Sequence, residues 1–408
     1  MKFLKISTLE EARQKLFEQM SSYILSSESV ALEFSLNRVL AEDLSATENI
    51  PDFRRSTVDG YALISKDTQG AGESIPSFLS LLGSVEMGKP ANFTVTSGTT
   101  CEVPTGAMLP AGADAVVMLE YCESLGDDIA VYKSVAYGEN TIDIGDDVKK
   151  SALLPVKNKF LQPKDLGVLA AAGYFTVKVY TRPKISIIST GDELVSPGKP
   201  LEPGKIRDIN SFSLAAAAQE SGFSVADTNV LPDDEEILTK SILQAMETSQ
   251  IVVISGGSSA GKKDLTAKII ENVASEGIHT RGLAIKPGKP TILGYDVPTQ
   301  TVLAGLPGHP ISAMVVFELL LGQVYRELLG AAPKMPIPGR LSRNVPASPG
   351  KLTFYPCKLT WENDNYSVTP VLYKSGLITG ISQADGYFLI EKDREGLNVG
   401  ERVLVTLI

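Results

Sequence analysis

Three cysteines, two histidines and one tryptophan are all that 408 residues hold of these types, and each shortage closes off a class of protein. Cys101, Cys122 and Cys357 are odd in number and show no Cys-x-x-Cys spacing. That argues against a disulfide framework or a thiolate zinc site and points to a reducing, cytoplasmic setting. His279 and His309 are too few for a histidine metal cluster. Basic excess is missing as well: 38 Lys and Arg face 48 Asp and Glu, a net charge of −10, which argues against a non-specific nucleic-acid binder. A bilayer-spanning run is also lacking. The most apolar stretch, ISAMVVFELLLGQVYRELL (311–329), carries Glu318, Arg326 and Glu327 and reads as a buried helix rather than a membrane segment. The opening MKFLKISTLEEARQKL lacks the apolar core of a secretory leader. Within it, Ser7-Thr8-Leu9-Glu10 predicts a capping box before an amphipathic helix over 7–25.

What is present is ordinary globular material, 43% hydrophobic and 21% charged, long enough for two to four domains at about 100–200 residues each. A second helix is predicted over about 29–42. From about 51 to 150 Gly, Pro, Thr and Ser separate short β-prone pieces, NFTVTS, DAVVML and IAVYKS, as in a mostly β module. PKDLGVLAAAG (163–173) predicts a short helix with a glycine C-cap. From about 183 strands and helices alternate: KISIIST, INSFSLAAAAQESG, FSVADTNVL, DDEEILTKSILQAMETS, QIVVISGG, TQTVLAGLPG and ISAMVVFELLL. That rhythm predicts a parallel sheet with helices on both faces, which binds ligands at the carboxyl ends of its strands. The breaker run AAPKMPIPGR marks a boundary after Gly330. Beyond it KLTFYPCKL, YSVTPVLY, GYFLIEK and RVLVTLI predict a small β-barrel or sandwich.

The loop SGGSSAGKKD (255–264) admits three readings. Gly256-x-x-x-x-Gly261-Lys262 nearly fits a phosphate loop, but Lys263 stands where a magnesium-binding hydroxyl is required. Gly257-Ser258-Ser259-Ala260-Gly261 fits a nucleophile elbow, with Ser259 as the serine of a hydrolase and only His279 or His309 as base. In the third reading, Gly256 and Gly257 let backbone N–H groups approach a ligand. Ser258 and Ser259 add hydroxyls, the following helix start favours an anion, and Asp264 can hold a divalent cation between phosphate oxygens. A plain turn with Asp264 as helix cap stands beside these.

Two other strand ends, STGDEL (189–194, with Asp192 and Glu193) and GLPGHP (305–310, with Gly308), would share a rim with this loop in a parallel sheet. Between them AIKPGKP (284–290) fixes Lys286 and Lys289 close together, as an oxyanion or phosphate site requires; two solvated lysines on a turn are the alternative.

SGGSSAGKKD, STGDEL, AIKPGKPT and GLPGHPISA resemble the molybdopterin molybdenumtransferases, the family that includes the E domain of gephyrin. STVDGYA (56–62), TGAMLPAGADAVV (105–117) and YKSGLITGISQADGYFLI extend the resemblance in order from about residue 50 to 390. The resemblance implies four domains in an elongated homodimer: a split helical domain (1–50 plus 145–182), an inserted mostly β domain (51–144), a central parallel α/β nucleotide-binding-type domain (183–330) and a C-terminal β-barrel (331–408). It implies that molybdate enters the dithiolene of adenylyl-molybdopterin and AMP leaves, with Mg²⁺ assisting at Asp264. Ser255, Gly256, Gly257, Ser258 and Gly308 would hold the phosphates, with Asp192 and Glu193 close to the nucleotide. Lys286, Lys289 and Ser312 would bind molybdate with Ser375 closing over it, Lys351 would be a further cofactor-binding residue, and Asp59 and Thr105 would join the cleft across the dimer.

Partners implied are the molybdopterin adenylyltransferase and recipient molybdoenzymes, with no nucleic acid and no membrane. The chain departs from the family at His309, usually Asn; at Val58, usually Met; at Ser258, usually a small apolar residue; at Lys351, commonly Arg; and at Gly282, Lys in some members. These departures leave a tungstate-selective or catalytically weak, scaffold-like paralogue as the alternative.

Overall fold

The structure is a computed structural model that describes residues 6–21, 26–256, 263–331, 333–362, 364–372 and 376–408, with the side chains of 263 and 264 outside the description. Its centre is a six-stranded sheet in the order Ser224–Leu231, Lys184–Thr190, Ile251–Gly256, Thr301–Leu306, Ile292–Asp296, Ile278–Arg281. The first four strands are parallel. The inner three, Lys184–Thr190, Ile251–Gly256 and Thr301–Leu306, bury both faces, as a sheet covered by helices on each side demands, while Ser224–Leu231 is a partly exposed edge. The helix Asn210–Ser221 stops at Gly222 in the left-handed conformation (φ +98°). The helix Glu235–Thr248 starts at Asp234, whose carboxylate accepts from the N–H groups of Glu236 and Ile237 at 3.0 Å.

The sheet is not wholly parallel. Ile292–Asp296 runs antiparallel to Thr301–Leu306, because the four residues Val297–Gln300 make a hairpin turn, with Gln300 N–H bonded to Val297 O at 3.2 Å. Residues 310–328 form one helix with a π-type turn at Phe317–Gly322, buried as predicted. Phe223 stacks on its Tyr325 at 4.2 Å and meets Phe317 edge-on at 6.2 Å.

The helix Leu9–Ser21 lays Ala12, Leu16 and Met20 into the same core as Leu320 and Val324. Its capping box falls one residue later than expected. Thr8 N–H donates to Glu11 Oε2 at 2.8 Å, and Glu11 N–H donates to Thr8 Oγ1 at 3.2 Å. The helix expected over 29–42 is not formed. Ser27–Ala31 is a strand paired antiparallel with Thr176–Tyr180, followed by a single 3₁₀ turn at Leu32–Phe34. Val30 sits in that ladder opposite Val177, so a long-range pairing overrides local helix propensity.

Within residues 55–142, strands between Gly60 and Val131 form a second six-stranded sheet that buries Leu63, Leu79, Val116, Val117 and Ile129, and Arg55–Ser56 pairs separately with Thr141–Ile142. NFTVTS contributes only an isolated bridge from Thr94 to Ala111. After the breaker run, five strands close into a ring: Ile337–Leu341, Asn365–Pro370, Leu352–Glu362, Gly386–Ile390 and Arg402–Leu407, the last pairing back to the first. This is the expected C-terminal barrel. Its Phe354 and Tyr387, stacked at 4.8 Å, pack into the same core as Leu283 and Ile285 of the α/β domain.

Candidate functional site

The strand-end turns meet on one rim. Register alone sets Thr190 beside Gly256 and Ser255 beside Leu306. Gly256 must be glycine: its φ is +156°, and a Cβ there would stand 2.0 Å from Thr190 O. Ser255, 1% exposed, donates to Pro307 O at 3.2 Å. Gly308 presents its carbonyl to the same point.

What draws these ends together is Asn210, which no motif singled out. Its Nδ2 donates to Ser255 Oγ at 2.7 Å and to Gly308 O at 2.9 Å, while the residue is only 7% exposed. Its Oδ1 has no partner among the described residues. Neither has Oδ2 of Asp208, 3% exposed, whose other oxygen accepts from Ser211 N–H at 3.3 Å. Buried acceptors are normally satisfied, so two orphans beside a glycine-bearing rim are a mark of ligand chemistry. The available signal was Asp-x-Asn running into the first residue of a helix.

Asp192 and Glu193 are exposed just after the strand Lys184–Thr190. Asp192 Oδ1 accepts from Asp233 N–H at 3.1 Å, and its carbonyl accepts from Lys205 Nζ at 2.7 Å. The Glu193 carboxylate folds back to 2.9 Å from where a Gly191 Cβ would stand. Thr190 Oγ1 donates to Asp233 Oδ1 at 2.8 Å, tying the neighbouring turn to the rim. Gly257, Ser258, Ser259 and Ser375 lie outside the described residues, and Asp264 is described only as the second residue of the helix Lys263–Val273.

The lysine hairpin is seated on the helix that leaves the rim. Gly288, at φ +121°, packs so closely that a Cβ would stand 2.5 Å from Val316 Cγ2. Ser312, 4% exposed, is one helical turn before Val316 on the same face. Buried Thr291 holds the turn by donating to Gly288 O at 2.7 Å, and Leu283 N–H bonds Lys289 O at 2.9 Å. Lys286 and Lys289 are both exposed. Lys286 Nζ donates to Ser348 Oγ at 2.9 Å, three residues before Lys351 in the barrel. The contacts thus join Ser255 to Gly308 through Asn210, seat the Gly288 turn that carries Lys286 and Lys289 on the helix bearing Ser312, and tie Lys286 to the turn that bears Lys351.

Asp59 and Thr105 form a separate pair. Asp59 Oδ1 accepts from Thr105 N–H at 2.7 Å and from its hydroxyl at 3.0 Å, and the backbone bond foremost holds the carboxyl below the usual carboxylate range. Among the described residues no hydrogen bond joins the 55–142 sheet to any residue beyond 183. His279, a base candidate for a hydrolase, has Nδ1 3.0 Å from Thr280 Oγ1, and burial pushes its pKa down to about 4. Among the described residues there is no group of three or more His, Cys, Asp or Glu that could hold a metal, and no helix is long and apolar enough to cross a membrane.

Three family models cover the chain in order. "MoeA N-terminal region (domain I and II)" matches residues 7–173, "Probable molybdopterin binding domain" 186–327, and "MoeA C-terminal region (domain IV)" 338–408. The chain is similar to a molybdopterin molybdenumtransferase of Haemophilus influenzae, with 32% identity over 98% of each chain. It is similar in fold to two solved molybdopterin biosynthesis MoeA proteins of Pyrococcus horikoshii. One is 38% identical over 99% of each chain with TM-score 0.81. The other is 31% identical over 99% of this chain and 100% of that one, with TM-score 0.84.

Proposed function

The chain belongs to the molybdopterin molybdenumtransferase family, transferases of molybdenum cofactor biosynthesis, and from that membership we propose that it inserts molybdate into the dithiolene of adenylyl-molybdopterin with release of AMP. The observation that carries this reading is the seating of the Lys286–Lys289 hairpin, through Gly288, on the helix that begins at the Ser255–Gly308 rim. That seating supports a phosphate cradle and a cationic oxyanion site as neighbours.

The backbone N–H groups after Ser255, together with Ser258 and the start of the helix Lys263–Val273, bind the phosphates, with Asp192 and Glu193 beside the nucleotide. Molybdate is a dianion, and Lys286, Lys289 and Lys351 supply opposing charge while Ser312 and Ser375 supply hydroxyl donors. Asp59 and Thr105 join the cleft from the second copy of a homodimer. Their carboxylate and hydroxyl are already locked together at 3.0 Å, which supports a role as a prepared polar unit.

Mg²⁺ is the cation this chemistry calls for. Asp264 would hold it, and the buried Asp208 Oδ2, unpartnered among the described residues, is an oxygen of the kind Mg²⁺ takes alongside substrate phosphates. Bound there, it would offset negative charge that develops on the leaving phosphate. The chain's own residues orient the anhydride and hold the two anionic substrates against their mutual repulsion.

The test mixes the protein with adenylyl-molybdopterin, molybdate and Mg²⁺ and follows AMP. Wild type releases AMP and yields cofactor that activates a molybdoenzyme. Asp264→Asn keeps a wild-type circular dichroism spectrum and loses AMP release; turnover at the wild-type rate in that variant removes the metal role.

A further inference from the structure

The hairpin that carries Lys286 is shared between two domains. Ile285 and Lys286 run parallel to Leu352 and Thr353 at the edge of the barrel, and Leu352 N–H donates to Ala284 O at 2.9 Å. From that ladder the Lys286 ammonium reaches across to Ser348 Oγ at 2.9 Å. Ser348 is itself fixed. Its N–H donates to Thr353 Oγ1 at 3.3 Å, and its carbonyl accepts from Lys351 N–H at 3.1 Å. The preceding Ala347 N–H is bonded to Glu395 O at 2.6 Å. Thr353, which anchors it, is 3% exposed. One half-buried hydroxyl therefore connects the α/β lysine, the turn that bears Lys351, and the barrel wall.

We propose that Ser348 is a positioning residue of the oxyanion site: it holds the Lys286 ammonium at the seam between the two domains and sets its spacing from Lys351 around a tetrahedral dianion. The proposal rests on the reading of Lys286 as an oxyanion ligand. A serine hydroxyl has two acceptor lone pairs and one proton, so it accepts from Lys286 and keeps its O–H for an anionic oxygen. A lysine already held loses less rotamer freedom when the anion arrives, which is preorganisation in its ordinary sense. An alanine at 348 removes the hold and leaves the ladder beneath it intact.

The experiment titrates sodium molybdate alone into the full chain by calorimetry, then repeats AMP release over a range of molybdate concentrations. Wild type is compared with S348A, S348T, K286A and K286A/S348A, each checked by circular dichroism and thermal melting. S348A should weaken molybdate binding about five- to tenfold, the net worth of one ordinary hydrogen bond. Its half-saturating molybdate concentration should rise by the same factor, while kcat falls less than twofold. S348T should restore binding because it keeps the hydroxyl, and the double variant should bind no more weakly than K286A. If S348A titrates like wild type while K286A is weakened, the positioning role is overturned and the functional reading stands. If K286A also titrates like wild type, the oxyanion lies elsewhere and both fall together.

Discussion

Replacing Gly288 by alanine perturbs the lysine hairpin where it packs against the rim helix. The new Cβ would stand 2.5 Å from Val316 Cγ2 and 3.1 Å from Ile285 Cγ2. Carbon atoms come into favourable contact at about 3.5–4.0 Å, so the turn or the helix must yield by about 1 Å. Gly288 also sits at φ +121°, where an L-residue is strained by about 1–2 kcal/mol. Overpacking of a closed core adds about 1–3 kcal/mol, for a total loss of about 2–5 kcal/mol. Urea melts should be followed by far-UV circular dichroism, because the single tryptophan, Trp361, lies in the barrel and does not report on the α/β core. Val316→Ala removes the colliding methyl. The pair G288A/V316A should therefore be less destabilised than the sum of the single variants by about 1–3 kcal/mol, the backbone strain remaining. A 1 Å displacement of Lys286 and Lys289 from Ser312 should lower kcat/KM by about a hundredfold in G288A, with partial recovery in the double variant. Strict additivity in that cycle, or a G288A protein that melts and turns over like wild type, would refute the reasoning.

Other outcomes follow from single groups. His279 titrates near its ordinary value when unfolded but is pushed down to about 4 by burial in the fold, so the unfolded state takes up a proton first as pH falls from 6.5. Stability should decline between pH 6.5 and 4 by at most about 3 kcal/mol on this account, and His279→Gln should flatten that limb of the profile. Asp59 is held low by Thr105, so its contribution is present above the unfolded carboxylate pKa and disappears as pH falls through the lower folded value. Thr105→Val keeps the backbone bond and drops the hydroxyl. A carbon-13 carboxyl titration should show Asp59 moving part of the way back toward the ordinary range; an unmoved midpoint would show that the hydroxyl has no influence.

The rim was legible because its strands are apolar runs that stop abruptly at Ser, Thr or Gly, and alternation with helices then fixes which ends gather. KISIIST, QIVVISGG and TQTVLAGLPG carried that signal in full. The antiparallel strand Ile292–Asp296 was hidden because its turn, Val-Pro-Thr-Gln, lacks the Asn-Gly type of signature, and Gln300 takes φ +54° without a glycine. Ser27–Ala31 was hidden for a different reason. Its partner lies some 150 residues away in the chain, and nothing within SESVA declares a strand. At the site, loops of distinctive composition were singled out as candidates from sequence alone. Asp208 and Asn210 were not, since their significance lies in burial and in acceptors left unpartnered, which only coordinates disclose.

One consequence attaches to the aromatic pair Phe354 and Tyr387, which belongs to the barrel by sequence and to the α/β core by position. Covalent continuity through 331–336 is then a minor part of what keeps the last seventy-odd residues in place. A protease that nicks this linker should yield two fragments that still co-elute as one particle, because separating them would bare Leu283, Ile285 and two aromatic rings to water at once.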